Sequence, residues 1–141
     1  MRGAHQEPLP TSVITSVAVE HVLLSYSYLD EGDVDGYGSL LEEDMQVHRP
    51  DTPDAHGRQQ ALSLIAEVGG PPGRHELYKI VASGDCVVAT GRFTGPAAYP
   101  VRPAAQVDID FADLFTISGQ GLLLGQRRYY YVSPESAKPG E

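Results

Sequence analysis

The change of hydrophobic period along the chain constrains the fold more than any other feature of the sequence. Residues 12–31 place apolar side chains at helical spacing, which predicts one long helix with a broad buried face. Asp33 can cap a short second helix over about 34–42, and the segment 58–68 fits a third. After the third helix the apolar residues no longer follow helical spacing and form strand-like runs instead, so the helices are expected in the first half of the chain.

Strand-like patterns make up the second half. A short strand is expected earlier, at 45–50, in MQVHRP, which ends at a proline. After the third helix, four β-rich runs follow one another between turn signals: HELYKIVASGD, CVVATGRFTG, QVDIDFADLFTISGQG and LLLGQRRYYYV. Helices that precede a series of consecutive strands predict an α+β fold with a mostly antiparallel sheet.

The length of 141 residues suits one domain and leaves no room for a second one with its own core. We expect this domain to span residues 11–132. The start of the chain, 1–10, contains two prolines, and the end, 133–141, reads SPESAKPGE. Both are expected to be flexible termini.

The charge balance excludes two classes of partner. Nineteen acidic against ten basic residues give a net charge of −9, which argues against nucleic acid and against an anionic membrane surface, since both are bound through Lys and Arg. No apolar run approaches the roughly 18 residues that cross a bilayer, and the first residues lack the apolar segment of a signal peptide. A cytoplasmic location is therefore expected. The single Cys86 cannot form an intrachain disulfide.

Several segments, taken in order, carry a resemblance to a known superfamily. The first is YLDEGDVDGYGSLLEEDMQVHRP, which starts near the end of the first helix, and the second is the helix that begins at Gly57 and Arg58. The others are the strand pair VASGDCVVATGRFTG and the final segment DFADLFTISGQGLLLGQRRYYYV. Together they resemble the nuclear transport factor 2-like superfamily, and within it the ketosteroid-isomerase-like and SnoaL-like polyketide-tailoring proteins. The resemblance covers about residues 12–132.

This resemblance implies a cone, in which a strongly curved sheet wraps the three N-terminal helices and an apolar mouth holds a small ligand. Asp110 lies where the isomerases carry the carboxylic acid of their oxyanion hole. Arg49 lies where they carry the general-base aspartate, and Arg128 lies where SnoaL-like cyclases carry an acid/base aspartate. No glycine-rich dinucleotide motif and no cysteine pair is present, so no cofactor is expected.

The inward face of the strand around Asp110 decides which residues form the site. If Asp110 faces the interior, Asp108 does so too, because side chains alternate along a strand. The same preferred parity brings in Val47, Arg49, Gln126, Arg128 and Tyr130 from neighbouring strands. With the opposite parity Asp113 would be the candidate acid, and the interior would be lined by Ile109, Phe111, Asp113 and Phe115.

A carboxylate beside guanidinium groups in an apolar interior suits proton transfer or the positioning of a water molecule. This arrangement of a carboxylate and guanidinium groups resembles the Asp–Arg pairing of limonene-epoxide-hydrolase-like members of the superfamily. On this interpretation Asp110 is the acid/base, and Arg128 and Arg49 stabilise developing oxyanion charge. A buried structural ion pair without chemistry is the alternative.

Tyrosine is common in this chain, which has eight tyrosines and no tryptophan. Tyr26, Tyr28 and Tyr130 would offer aromatic walls with hydroxyl donors to a polycyclic phenolic ligand. Core packing or an interface explains them equally well. Under the preferred parity the outer face of the strand around Asp110 is apolar and needs covering, which predicts a homodimer packed sheet to sheet.

Two further features are weighed as metal or acid/base candidates. His48 would point away from the interior if Arg49 points into it, so its role stays open. Residues 31–42 match much of a calcium loop, with oxygen ligands at positions 1, 3, 5, 9 and 12. The segment after them does not have the pattern of the exit helix that such a loop needs, so no metal site is expected.

Taken together, the sequence predicts a small, cofactor-free tailoring protein of polyketide or similar secondary metabolism, such as antibiotic biosynthesis. It would bind an aromatic or polycyclic intermediate and assist the proton transfer that cyclisation, isomerisation, dehydration or epoxide opening requires. The alternative is a noncatalytic binding or accessory protein that uses the same pocket.

Overall fold

Helices precede strands in the computed structural model, which describes residues 11–68, 73–96 and 106–131. In chain order its elements are α1 (Thr11–Glu31), α2 (Val34–Gly38), β1 (Leu41–His48), β2 (Ala55–His56), α3 (Arg58–Val68), β3 (Arg74–Ser83), β4 (Cys86–Pro96), β5 (Gln106–Ile117) and β6 (Leu123–Tyr130). The predicted α+β fold is confirmed. The expected flexible termini, 1–10 and 133–141, lie outside the described residues, as does residue 132.

The strands form one sheet in the order β2-β1-β6-β5-β4-β3. Strands β3 to β6 form an antiparallel meander, and β2 also pairs antiparallel with β1. The exception is β1, which pairs parallel with β6. The last of the described strands, β6, therefore lies between β1 and β5. None of the described helices combines the length and apolarity that crossing a membrane would require.

The second helix is shorter than expected, and the first strand begins earlier. Asp33 does cap α2, because its carboxylate accepts a hydrogen bond of 2.8 Å from the backbone N–H of Gly36. The helix ends at Gly38 instead of continuing to about residue 42. Leu41 is buried and pairs with Leu123 of β6, so packing against the sheet replaces the last helical turn.

One face of α1 packs against the sheet. Ala18, Val22 and Tyr26 recur every four residues, and all three are buried. The ring of Tyr26 lies 6.0 Å from the rings of both Phe111 and Phe115 on β5. The first helix and the inner face of β5 therefore share one core.

The parity of β5 is the opposite of the preferred one. Phe111, Asp113 and Phe115 are buried, whereas the side chains of Asp110 and Asp108 are 40% and 58% exposed. The expectation that Asp110 and Asp108 face the interior is therefore wrong. The physical reason is hydrophobic burial: five of the six odd-numbered positions from 107 to 117 are apolar, against two of the five even-numbered positions between them.

A bulge in β3 brings two backbones close together. The register of β3 against β4 shifts between Leu77 and Lys79, opposite Gly91 and Thr90. A Cβ atom at Gly91 would collide with the carbonyl oxygen of Glu76. Glycine is therefore needed at this position for a steric reason.

Candidate functional site

Asp113 and Arg128 form a buried ion pair at the centre of the sheet's inner face. They are direct partners in the antiparallel register of β5 and β6. Arg128 Nε donates to Asp113 Oδ1 at 2.8 Å and Arg128 Nη2 donates to Oδ2 at 2.7 Å. Both side chains are 0% exposed. This two-pronged geometry fixes the orientation of the guanidinium plane.

Tyr26 completes this cluster from α1. Its hydroxyl donates to Asp113 Oδ2 at 2.6 Å. Burial raises the pKa of Tyr26 above its ordinary value, and the negative charge of Asp113 raises it further. Tyr26 therefore remains protonated near neutral pH and keeps donating. Asp113 thus accepts three charge-assisted or short hydrogen bonds, and both of its oxygens are occupied.

One nitrogen of Arg128 is left over. Nη1 is buried, and no described residue accepts a hydrogen bond from it. The guanidinium carbon lies 4.2 Å from the ring centroid of Phe111, so the cation also rests on an aromatic face. Burial works against the charge on Arg128, but the hydrogen bonds and charge of Asp113 offset it and raise the pKa of Arg128. The interior therefore contains a permanent cation with a free donor.

A second dyad lies beside this cluster. His75 Nδ1 is 2.6 Å from Asp30 Oδ1, and the backbone N–H of His75 donates to Asp30 Oδ2 at 2.9 Å. The side chain of His75 is 6% exposed, and its Nε2 has no hydrogen-bond partner in the described part of the chain. Burial lowers the pKa of His75, although its hydrogen bond to Asp30 works in the opposite direction.

Aromatic rings connect the two polar pairs. The ring centroid of His75 lies 5.0 Å from that of Tyr26 and 5.6 Å from that of Phe111. Since Phe111 also supports the guanidinium of Arg128, its ring lies beside two of the groups with a buried, unpartnered nitrogen. Arg128 Nη1 and His75 Nε2, both buried and without a hydrogen-bond partner among the described residues, therefore belong to side chains that pack around one aromatic ring.

Arg49 belongs to a network that borders the cluster. Its Nη2 donates to the hydroxyl of Tyr130 at 3.2 Å, and Tyr130 in turn donates to Asp51 Oδ2 at 3.0 Å. The ring centroid of Tyr130 lies 5.9 Å from the guanidinium carbon of Arg128. Two of the expected site residues, Arg49 and Tyr130, are therefore linked to a third, Arg128.

Asp110 and Asp108 lie on the opposite, outer face of the sheet. Arg92 Nε is 3.3 Å from a carboxylate oxygen of each. The hydroxyl of Tyr78 also donates to Asp110, at 3.2 Å. Because a sheet separates Asp110 from the buried cluster, the place in the site that was expected for Asp110 is taken by Asp113.

The remaining expected residues are spread more widely. Val47 and Gln126 are buried on the inner face of the sheet. Tyr28 is half-buried, and its ring packs closely against Gly36 of α2. His48 lies beside Asp54, with 3.1 Å between Nδ1 and Oδ2. Within the described ranges, no group of three or more His, Cys, Asp or Glu side chains is arranged to hold a metal ion.

The sequence interpretation missed the dyad of His75 and Asp30. The two residues are 45 positions apart, so no local spacing joins them. A signal was nevertheless present on each element. His75 has the same strand parity as the half-buried Leu77, and Asp30 lies one helical turn after the buried Tyr26.

Comparison with known proteins adds a family match. The sequence model of the SnoaL-like domain family matches residues 22–124. No curated protein matches the sequence significantly.

Solved structures share the fold at low sequence identity. A protein described as a SnoaL-like polyketide cyclase from Jannaschia sp. CCS1 is 22% identical, with a TM-score of 0.71 over 96% of this chain and 100% of the other. An epoxide hydrolase of the LEH-like type from M. tuberculosis is 18% identical, with a TM-score of 0.70 over 83% and 84% of the two chains. TerC, co-crystallised with polyporic acid, is 18% identical, with a TM-score of 0.67 over 82% and 92%. At these identities the likeness establishes the fold.

Proposed function

Since the chain belongs to the SnoaL-like domain family, we propose that it is a cofactor-free tailoring protein of polyketide or similar secondary metabolism, such as antibiotic biosynthesis. Its ligand is an aromatic or polycyclic intermediate with a carbonyl or phenolic oxygen. Its reaction is an acid/base reaction of the group that comprises cyclisation, isomerisation, dehydration and epoxide opening.

The observation that carries this proposal is the free Nη1 of Arg128. A buried donor without a partner costs free energy, so the fold retains it at a penalty unless a ligand or water accepts its hydrogen bond. A carbonyl or phenolate oxygen is the matching acceptor. As negative charge develops on that oxygen during proton transfer, a fixed cation in a dry interior stabilises it.

The neighbours of Arg128 hold it in place for this task. Asp113 binds two of its nitrogens, and Tyr26 binds Asp113. The guanidinium therefore does not need to reorient when charge develops on the ligand. Arg49, whose Nε lies 3.6 Å from Asp51 Oδ1, is linked to the same region through Tyr130.

The descriptions of proteins that share this fold are consistent with the proposed chemistry. One is described as a polyketide cyclase and another as an epoxide hydrolase, and a third was crystallised with polyporic acid. These descriptions belong to those proteins, and this chain shares the fold with them.

A noncatalytic binding protein is the second candidate, and one observation favours it. Both oxygens of Asp113 are already occupied by hydrogen bonds from Arg128 and Tyr26. About three of the four lone-pair positions of its carboxylate are therefore already engaged, which leaves Asp113 little capacity to accept a proton from a substrate. Without a base elsewhere in the site, the cluster would only bind its ligand.

Binding of 2-naphthol, a bicyclic phenol, tests the proposed ligand class. The Arg128→Lys variant keeps the positive charge but loses the fork of donors, so it should bind 2-naphthol at least about tenfold more weakly than the native chain. Arg92→Lys is the matched control, because Arg92 lies on the outer face. Isothermal titration gives both affinities, and equal affinities of R128K and R92K for 2-naphthol would contradict the proposal.

We also propose that the protein is a cytoplasmic homodimer joined through the outer face of the sheet. The apolar outer face that was expected on β5 is not present, since Asp108 and Asp110 lie on it. The exposed side chains of Val81 on β3, Leu114 on β5 and Tyr129 on β6 support the dimer instead. The free thiol of Cys86 is compatible with a reducing compartment. Sedimentation analysis should give twice the monomer mass for the native chain and the monomer mass for Leu114→Glu.

A further inference from the structure

The imidazole of His75 has the surroundings of a reactive group, and the proposed function assigns it no role. Its side chain is 6% exposed, and its Nε2 has no hydrogen-bond partner among residues 11–68, 73–96 and 106–131. A buried histidine in a purely structural role would normally satisfy both ring nitrogens. Nε2 is therefore available to a molecule that enters the site.

Asp30 determines which ring nitrogen of His75 carries the proton. An ionised carboxylate only accepts hydrogen bonds, so the short contact of 2.6 Å places the proton on Nδ1. The second oxygen of Asp30 is held by the backbone N–H of His75, which prevents the carboxylate from turning away. The lone pair of the neutral ring is then on Nε2, which is the state of a general base.

We propose that His75, oriented by Asp30, is the proton acceptor of this site, and that its substrates carry an acidic C–H or O–H next to a carbonyl group. This inference rests on the proposed function, because it uses Arg128 as the group that binds the carbonyl oxygen. It adds the base that the Asp113 and Arg128 pair lacks.

The proton transfer balances without any co-reactant. Nε2 of His75 takes the proton from the carbon next to the carbonyl, and the electron pair of the broken C–H bond forms the enolate. The negative charge appears on the carbonyl oxygen, where Nη1 of Arg128 donates a hydrogen bond. The imidazolium, stabilised by Asp30, then returns the proton to the ligand at the same or another atom.

The surroundings keep His75 neutral before the reaction. The charged and titratable groups that face it are Asp30 and Tyr26 from α1, Asp113 from β5 and Arg128 from β6, while β4 contributes the apolar ring of Phe93. Burial lowers the pKa of His75, and Arg128 acts in the same direction, whereas the two carboxylates oppose them. Near neutral pH the ring can therefore accept a proton.

Hydrogen–deuterium exchange of 2-tetralone tests the proton transfer. This ketone of a benzo-fused ring has acidic benzylic C–H groups beside its carbonyl, and its enolate is a dihydro analogue of 2-naphtholate with the oxygen at the same position. The native chain in D₂O should accelerate the exchange, followed by NMR. His75→Gln should reduce the acceleration by about 100-fold or more, while its affinity for 2-naphthol stays within about threefold. His48→Gln, a histidine outside the cluster, should exchange like the native chain.

The outcomes separate the two proposals. If native protein does not bind 2-naphthol, the proposed function fails and this inference fails with it. If native protein binds 2-naphthol but H75Q exchanges 2-tetralone as fast as native protein, or if native protein does not accelerate exchange, only the role of His75 is overturned.

Two readouts keep the test decisive if H75Q does not fold. The ¹⁵N chemical shifts of His75 in the native chain should show an unprotonated Nε2 near neutral pH, and a proton on Nε2 would overturn the inference. In Asp30→Asn the loss of a negative charge should move the acid limb of the exchange rate to lower pH. An unmoved acid limb would show that Asp30 is not a positioning residue for this base.

Discussion

Asp113 and Arg128 are cross-strand partners whose two hydrogen bonds, at 2.8 and 2.7 Å, lie wholly inside the protein. The pair has the least solvent contact that an ion pair can have, with both side chains 0% exposed. Removing one charge from such a pair leaves the other without compensation, in a region where water cannot solvate it. Stability should therefore depend on this pair far more than on the ion pairs at the surface.

Asp113→Asn should lower the free energy of unfolding by about 3–5 kcal/mol, because it leaves the buried guanidinium of Arg128 uncompensated. The matched control is Asp110→Asn, three positions earlier on the same strand, which breaks an exposed contact with Arg92 and should cost about 1 kcal/mol or less. Urea unfolding of both variants measures the difference. Similar losses in D113N and D110N would contradict the burial assigned to Asp113.

Tyr26→Phe should destabilise the protein by about 1.5–3 kcal/mol, since it removes a buried hydrogen bond to a charged acceptor. Tyr78→Phe provides a close comparison, because Tyr78 also donates to an aspartate but does so at the exposed outer face. Its effect should lie within about 0.5 kcal/mol of zero. Thermal and urea unfolding measure the stability of both variants. A larger loss of stability in Y78F than in Y26F would contradict the role assigned to the buried hydrogen bond of Tyr26.

The stability of the fold should decrease as the pH falls below about 6.5, because burial lowers the pKa of His75 in the folded protein. Between that lowered pKa and 6.5, the unfolded chain binds a proton that the folded chain does not. The contribution of His75 is therefore present above pH 6.5 and is lost as the pH falls through the folded value.

Urea unfolding over this pH range measures that slope. His75→Gln should flatten it, and His48→Gln should retain it, since His48 is partly exposed beside Asp54. A slope that H75Q leaves unchanged would show that other groups cause it.

Gly91→Ala should cost about 2 kcal/mol or more, because its new Cβ atom meets the backbone of β3 at the bulge. Gly125→Ala is the appropriate control, since a Cβ atom there would meet Thr116 at an ordinary contact distance of 3.5 Å. Chemical unfolding of both variants should therefore separate them clearly. Equal stability would mean that the bulge can relax around a methyl group.

The sequence predicted the architecture better than the site. The order of helical and strand-like patterns along the chain was sufficient to predict the α+β fold. The alternation of side chains on β6 also correctly predicted that Gln126 and Arg128 are buried. On β5 the preferred parity was chosen because Asp110 matches the position of the isomerase acid. A count of apolar side chains at alternate positions instead favours an inward-facing Asp113. For that strand, hydrophobic burial was the better guide than position within a family.

The dyad of His75 and Asp30 could not be predicted from spacing, because tertiary packing brings the two residues together. Strand parity could only have suggested that His75 faces the interior. Which carboxylate accepts the hydrogen bond from its Nδ1 depends on how α1 crosses the sheet. Local sequence patterns do not specify that crossing.

The parallel pairing of β1 with β6 bears on how the protein is made by the ribosome. Strand β1 is synthesised early, yet its main neighbour in the sheet is the last strand of the described fold. Until β6 has been synthesised and has emerged, the backbone N–H and C=O groups along that edge of β1 lack their partners in the sheet. The nascent chain is therefore exposed to aggregation for most of its synthesis, and this is the stage at which a chaperone would matter most.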